Sequence, residues 1–170
     1  MQLSYAQGST DVPLLAETVG ENLEHTTARF PDRDALIVRH QGIHCTYRQF
    51  DEATDRLAKS LLRLGVDLGD RVGIWSPNNA EWVAVQYATA KIGAILVNVN
   101  PAYRTSELEY VLNQSGCRFL ISAPSYLTSD YRSMVAVDGM AGVYCPVSSD
   151  WMTADDAPEA ANAVTETTTG

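Results

Sequence analysis

Short apolar runs alternate with amphipathic stretches over most of the chain. Three runs have the length and composition of buried strands, and they lie at residues 71–75, 94–99 and 118–122. Between them, apolar residues recur every three or four positions over 80–92 and 105–115, which indicates two helices. This strand–helix–strand–helix–strand order, with short connections, predicts a doubly wound, mainly parallel sheet with right-handed crossovers and flanking helices.

Further elements are predicted before this core. A helix begins near Val19 and ends before Pro31, and two β-type runs flank the Gln41-Gly42 turn as a hairpin. A longer helix follows over residues 46–65. Its predicted buried stripe, and that of the 80–92 helix, consist of Phe50, Leu57, Leu61 and Leu64, and of Trp82, Val85, Ala88 and Ile92.

Capping residues mark the ends of the predicted helices. Thr46 with Gln49 has the spacing of a capping box, and Asn78 with Glu81 has the same spacing before the next helix. Gly65 and Gly93 stand where a left-handed residue commonly ends a helix.

The pattern changes near residue 135. All 12 Lys and Arg residues lie before residue 133, whereas six of the 21 acidic residues lie after it. We therefore expect an N-terminal extension (1–18), an incomplete α/β subdomain (19–134) and an irregular, acidic C-terminal tail (135–170). Because periodicity stops within a few residues of Val135, we hypothesise that the tail is disordered or is the product of a shifted reading frame.

Composition excludes several classes of protein. The net charge of −9 argues against a nucleic-acid partner, and no apolar run reaches the ~18 residues of a transmembrane segment. The N-terminus shows no secretory signal, and the cysteines Cys45, Cys117 and Cys145 are too few and too widely spaced for a disulfide framework or a zinc site. A cytoplasmic location is therefore expected.

Residue chemistry alone reveals no catalytic group. The sequence has neither standard Gly-rich phosphate loop nor a GxSxG nucleophile elbow. The dispersed His25, His40 and His44 are interpreted as surface or hairpin residues, and Glu107 and Glu109 point to different faces of one helix. We therefore predict no catalytic, cofactor-binding or metal-binding residue in this chain.

Two longer segments carry a family resemblance. "LGVDLGDRVGIWSPNNAEW" and "GAILVNVNPAYRTSELEYVL", within a match from about Val19 to about Tyr131, closely resemble the N-terminal region of AMP-forming acyl-CoA synthetases. The segment "VNPAYRTSELEYVL" is similar to the sequence found in the branch of this family that activates medium- and long-chain fatty acids.

The resemblance implies a two-step ligation that uses ATP, Mg²⁺, coenzyme A and a fatty acid. In that family a Thr/Ser/Gly-rich phosphate loop ending in Pro-Lys and a catalytic lysine perform the chemistry, and this sequence contains neither. The closing "TETTTG" is only faintly similar to the start of that loop, since it lacks the flexible glycine and the Pro-Lys.

The sequence therefore predicts a truncated N-terminal fragment of a fatty-acid–CoA ligase that binds no cofactor and is inactive alone. Its exposed sheet edge favours self-association. Two alternatives stay open: a small α/β binding or interaction module without catalysis, and an inert product. The Asn100-Pro101 strand end, where an open α/β sheet commonly binds ligands, is interpreted as scaffold.

Overall fold

The computed structural model describes residues 8–9, 11–136 and 143–146. The helices are α1 (Val19–Arg29), α2 (Tyr47–Arg63), α3 (Ala80–Lys91), α4 (Thr105–Ser115) and α5 (Tyr131–Ala136). The strands are β1 (Asp34–Val38), β2 (Ile43–Thr46), β3 (Arg71–Trp75), β4 (Ile95–Val99), β5 (Phe119–Ser122), β6 (Ser125–Tyr126), β7 (Ser129–Asp130) and β8 (Val143–Pro146). No helix in the described part of the chain is long and apolar enough to cross a membrane.

The central sheet has four parallel strands in the order β4-β3-β5-β8. From β3 the chain moves through α3 to β4 on one side, and from β4 it returns through α4 to β5 on the other side of β3. This reversal makes the sheet doubly wound, so the predicted fold class is confirmed.

Alternate residues of β3 pack into different cores on the two faces of the sheet. Val72 and Ile74 join α2 and α3 residues in one apolar cluster. Trp75 joins Leu108 of α4 in the other cluster. At Gly73 there is little room for a larger side chain, because a Cβ there would meet a Leu120 methyl group at 3.1 Å. Both faces are thus covered, as a parallel sheet requires.

The predicted hairpin is also confirmed. β1 and β2 are antiparallel, and Gly42 takes a left-handed conformation (φ 67°) in the turn between them. The hairpin packs with α1, α2 and the outer face of α3 around Leu23, Cys45, Phe50 and Ala84. Helix α3 is therefore covered by the sheet on one side and by this layer on the other.

Most helix ends follow the capping prediction. The Thr46 hydroxyl accepts the Gln49 N–H at 3.4 Å, and the Gln49 side chain accepts the Thr46 N–H at 2.9 Å. Gly65 and Gly93 have positive φ after their helices. The predicted cap at Asn78 is wrong by one residue, since Asn79 accepts the Trp82 N–H at 2.9 Å. The Glu81 carboxylate instead accepts a hydrogen bond from the Gln41 side chain of the hairpin, so it does not form a capping box.

The C-terminal part departs from the sequence prediction in two places. Helix α5 crosses the predicted boundary at 134/135, and β8 lies inside the segment predicted to be irregular. β8 pairs in parallel with β5, with Phe119 opposite Val143 and Ser122 opposite Pro146. The run 143–146 ends in a proline, and the sequence before it shows no helical period, so no local pattern predicted a strand there, whereas its neighbour β5 supplies the hydrogen bonds. The closing TETTTG lies outside the described residues.

Candidate functional site

The carboxyl edge of the parallel sheet is the place where this architecture would hold a ligand. Strands β3, β4 and β5 end there at Trp75, Val99 and Ser122, and β8 ends there at Pro146. The Asn100-Pro101 step that the sequence singled out follows β4. Whether a ligand can reach this edge depends on the side chains around the Asn100-Pro101 step.

An aromatic stack lies at the carboxyl ends of β3 and β4, on the α4 face of the sheet. The rings of Trp75 and Tyr131 lie 3.5 Å apart between centroids and are tilted by 10°. Both side chains are fully buried. Tyr131 begins α5, which the short β6–β7 hairpin brings back over the end of β3. The stack belongs to the apolar cluster that also contains Val99 and Leu108.

Hydrogen bonds tie this stack to the Asn-Pro loop. The Trp75 indole Nε1–H donates to the Asn100 carbonyl at 3.1 Å, and the Tyr131 hydroxyl donates to the Pro101 carbonyl. The Asn100 side chain accepts the Ala102 N–H at 2.9 Å. The carbonyl of Trp75 accepts the Ala123 N–H at 3.1 Å. The polar groups that would face a ligand here therefore bind one another.

The ionisation of Tyr131 reflects this closure. Burial raises the pKa of its hydroxyl from 10 to about 12, with a smaller contribution from Tyr126. The hydroxyl therefore stays protonated and donates to Pro101 throughout the ordinary pH range. It serves as a structural donor and does not serve as a general base.

A second polar group lies at the start of α3. The Gln41 side chain donates to the Glu81 carboxylate at 2.8 Å and accepts the Ala80 N–H at 2.8 Å. Asn79 donates to the Ser76 hydroxyl at 2.9 Å. Glu81 is only 6% exposed, and its partner comes from the hairpin. These contacts fix the hairpin on the N-terminus of α3, where the Ala80 N–H binds Gln41 and the Trp82 N–H binds Asn79.

A buried lysine joins the three helices of the outer layer. The Lys91 side chain is 7% exposed, and its ammonium binds Asp51 at 2.6 Å and also Asp55, with Glu24 at 3.7 Å. Burial lowers the pKa of Lys91, but the hydrogen bonds with Asp51 and Asp55 outweigh burial and raise it above 10.5. A permanently protonated amine with three carboxylate neighbours is a structural ion cluster, because a nucleophilic lysine needs a lowered pKa.

The other residues considered in the sequence are dispersed over the fold. His25 pairs with Glu17 at 2.7 Å and His44 with Asp34 at 2.8 Å, both near the surface. Glu107 accepts the Arg104 N–H at 2.9 Å, so it caps α4. Burial raises the pKa of the Cys45 and Cys117 thiols, which makes them poor nucleophiles. Among the described residues, no group of three or more His, Cys, Asp or Glu side chains is arranged to hold a metal ion.

Sequence reasoning did not single out Lys91 or Tyr131. Lys91 meets Asp51 across 40 positions, and Tyr131 meets Pro101 across 30. Neither contact leaves a local pattern. One signal was available, since Lys91 follows a largely apolar stretch of α3, where a lysine that becomes buried needs a charged partner.

The chain matches a known protein family over most of its length. The sequence model of the AMP-binding enzymes matches residues 23–168. The chain belongs to this family. The match continues well past Val135, where the resemblance was expected to end.

This AMP-binding chain is similar to part of several acyl-CoA ligases and of related solved structures. The mouse mitochondrial medium-chain acyl-CoA ligase ACSF2 is 49% identical over 133 residues, which are 78% of this chain and 22% of that protein. A fatty acyl CoA synthetase of Mycobacterium tuberculosis superposes with a TM-score of 0.68 at 27% identity, covering 75% of this chain and 26% of its own. The NpsA N-terminal subdomain of Klebsiella oxytoca, solved with 3-hydroxyanthranilyl-AMSN, gives 0.66 at 30% identity, covering 82% and 33%. The chain thus spans about a fifth of the length of the curated relative.

Proposed function

We propose that this chain forms the first part of an ATP-dependent ligase domain that activates a medium- or long-chain fatty acid. Its sheet serves as scaffold for a site that other segments complete. The names of the relatives support the substrate class, since the mouse protein is a medium-chain acyl-CoA ligase and the mycobacterial structure is a fatty acyl CoA synthetase.

The proposed reaction has two steps. A carboxylate oxygen attacks the α-phosphorus of ATP and displaces pyrophosphate, and the sulfur of coenzyme A then attacks the acyl carbonyl carbon and displaces AMP. Stabilising the charge of the first step requires cationic or N–H donors and a magnesium ion. The described residues do not fit these groups, because no carboxylate set for a metal is present among them and the buried Lys91 is fully engaged. No step of the reaction is therefore assigned to them.

One observation carries the scaffold role. The Trp75–Tyr131 stack occupies the carboxyl edge of the sheet, and its two polar groups bind the carbonyls of Asn100 and Pro101. A ligand at the ends of β3 and β4 would have to displace two buried aromatic side chains. Burying such side chains stabilises a fold by roughly 1.5–3 kcal/mol each, so displacement is unfavourable.

Pyrophosphate exchange tests this proposal. The full chain is incubated with magnesium-ATP, labelled pyrophosphate and medium- or long-chain fatty acids. Exchange equal to that of a protein-free blank is expected, and exchange above the blank would contradict the scaffold role. Saturable binding of ATP or fatty acid without exchange would instead favour a binding module.

A further inference from the structure

Strand β4 has one edge that the described part of the chain leaves unpaired. It pairs with β3 alone, at the end of the sheet order β4-β3-β5-β8. The Ile95 N–H donates to the Asp70 carbonyl at 2.8 Å, on the β3 side. Because successive backbone groups of a strand point to opposite edges, Val97 and Val99 also face β3. The N–H and C=O groups of Leu96 and Asn98 therefore point outward.

Within the part of the chain that the structure describes, this edge has no charge, proline or bulge that would block pairing. Its register with β3 is continuous from Arg71 opposite Ile95 to Trp75 opposite Val99. Ile95 remains 48% exposed, although it belongs to an apolar strand. The edge thus offers regular, neutral backbone together with uncovered apolar surface.

We propose that two copies of this chain associate by pairing their β4 strands in antiparallel orientation about a two-fold axis at Val97. In this register Leu96 lies opposite the partner's Asn98, and the reverse holds by symmetry. Each of these is a hydrogen-bonded pair that exchanges two N–H···O bonds, so the junction gains four. The outward N–H and C=O groups of Leu96 and Asn98 in one copy are therefore all paired with those of the second copy.

The side chains agree with this register. Ile95, Val97 and Val99 share the α4 face of the sheet, because the residues opposite them on β3 are Arg71, Gly73 and Trp75. Antiparallel pairing about Val97 puts the partner's Val97 beside Val97 and the partner's Val99 beside the exposed Ile95. Apolar β-branched neighbours on one face stabilise strand pairing. A second copy is therefore favoured over an unrelated strand, because symmetry places apolar side chains of β4 beside apolar side chains of the partner's β4.

The pairing ends where the edge ends. The Ala94 N–H donates to the Thr89 carbonyl, and the Asn100 carbonyl accepts the Trp75 indole and the Tyr103 N–H. The ladder is thus confined to β4. A net charge of −9 on each copy opposes association, but β4 itself is uncharged. Added salt should therefore tighten the dimer. This inference rests on the sheet and is independent of the proposed ligase function.

Sedimentation of the full chain at several concentrations tests the proposal. Wild type is expected to show a monomer–dimer equilibrium. Asn98→Pro removes one outward donor per copy and no donor to β3, so it should raise the dissociation constant by about thirtyfold. Asn98→Ala keeps the N–H and is the matched control, expected within about threefold of wild type. A monomer at all concentrations, or a dimer that Asn98→Pro leaves unchanged, would overturn the proposal.

Cross-linking tests the register without relying on the proline variant. The two Val97 Cα atoms would lie about 4.5 Å apart, within reach of a disulfide, so oxidised Val97→Cys should form covalent dimers. Ile95→Cys is the control, because its two copies would be separated by about 13 Å. Covalent dimers in both variants, in the control alone, or in neither would contradict pairing about Val97. Wild type, which retains its own cysteines, gives the background.

Discussion

At the residue scale, the two lysines of the chain have different surroundings. Lys59 is exposed on α2, whereas Lys91 is buried between α1, α2 and α3. Gly20 of α1 lies against Lys91, where a Cβ would meet its Cγ at 3.2 Å. The layer of helices outside the sheet therefore depends on one ammonium group that neutralises acids on two neighbouring helices.

Lys91→Met should lower the free energy of unfolding by about 2 kcal/mol. Removing one partner of a fully buried ion pair costs roughly 3–5 kcal/mol, and the loss is smaller here because Asp55 is about half exposed. Urea unfolding measures the difference, with Lys59→Met as the matched control that should change little. Because the pKa of Lys91 is raised in the fold, its contribution is complete below pH 10.5 and is lost as the pH rises through the raised value. Equal destabilisation by the two variants would contradict this role.

Tyr131→Phe isolates the hydroxyl from the aromatic stack. The ring remains on Trp75, but the Pro101 carbonyl loses its donor, so a loss of about 1 kcal/mol is expected. The raised pKa of Tyr131 stabilises the fold fully below pH 10, and this contribution is lost between pH 10 and about 12. Tyrosinate absorbance should therefore show one group titrating near 12 in the native protein, and Tyr131→Phe should remove it. A titration curve that the variant leaves unchanged would contradict the buried hydroxyl.

At the scale of elements, local signals and distant contacts differ in what the sequence reveals. The Thr46–Gln49 cap and the glycines after α2 and α3 depend on neighbouring residues, so they were predicted correctly. The start of α3 was displaced by one residue because Gln41 binds Glu81 and Ala80 across 40 and 39 positions. β8 was missed because its run ends in a proline and the sequence before it shows no helical period, so only the pairing with β5 identifies it as a strand.

Gln41→Ala should separate the hairpin from α3. It leaves the Ala80 N–H and the nearly buried Glu81 carboxylate without their partner, which costs about 2 kcal/mol. His40→Ala, next to it on the exposed side of the turn, is the matched control with an expected change near zero. Hydrogen exchange should show the amides of β1 and β2 losing more protection than those of β3. Uniform loss of protection over all three strands would argue against a specific hairpin contact.

At the scale of the whole molecule, the order of short runs predicted the double winding of the sheet, and the resemblance of two longer segments predicted the family. Neither revealed the state of the candidate site. The sequence shows an Asn-Pro step at the end of β4, and the fold shows that Trp75 and Tyr131 close it. That closure brings together three segments separated by 25 and 30 positions. No local period reports such a contact.

The reading-frame hypothesis for residues after Val135 stays a prediction at this scale. It expects that one of the other two frames of the gene, translated downstream of that codon, encodes a family-like continuation with a phosphate loop. The family match to residue 168 and the pairing of β8 with β5 are also what an uninterrupted frame would produce. Translation of the genomic DNA decides between these, and the absence of such a segment in both other frames would refute the hypothesis.

The central claim is that the carboxyl edge of this sheet is closed by the Trp75–Tyr131 stack and acts as scaffold. Amide and indole NMR signals of the full chain, titrated with magnesium-ATP and then with a medium-chain fatty acid, test it most directly. The account predicts that the Trp75 indole signal and the amides of Asn100 and Tyr131 do not shift as ligand is added. Saturable shifts centred on these residues would contradict it, because they would show a ligand at the edge that the stack fills.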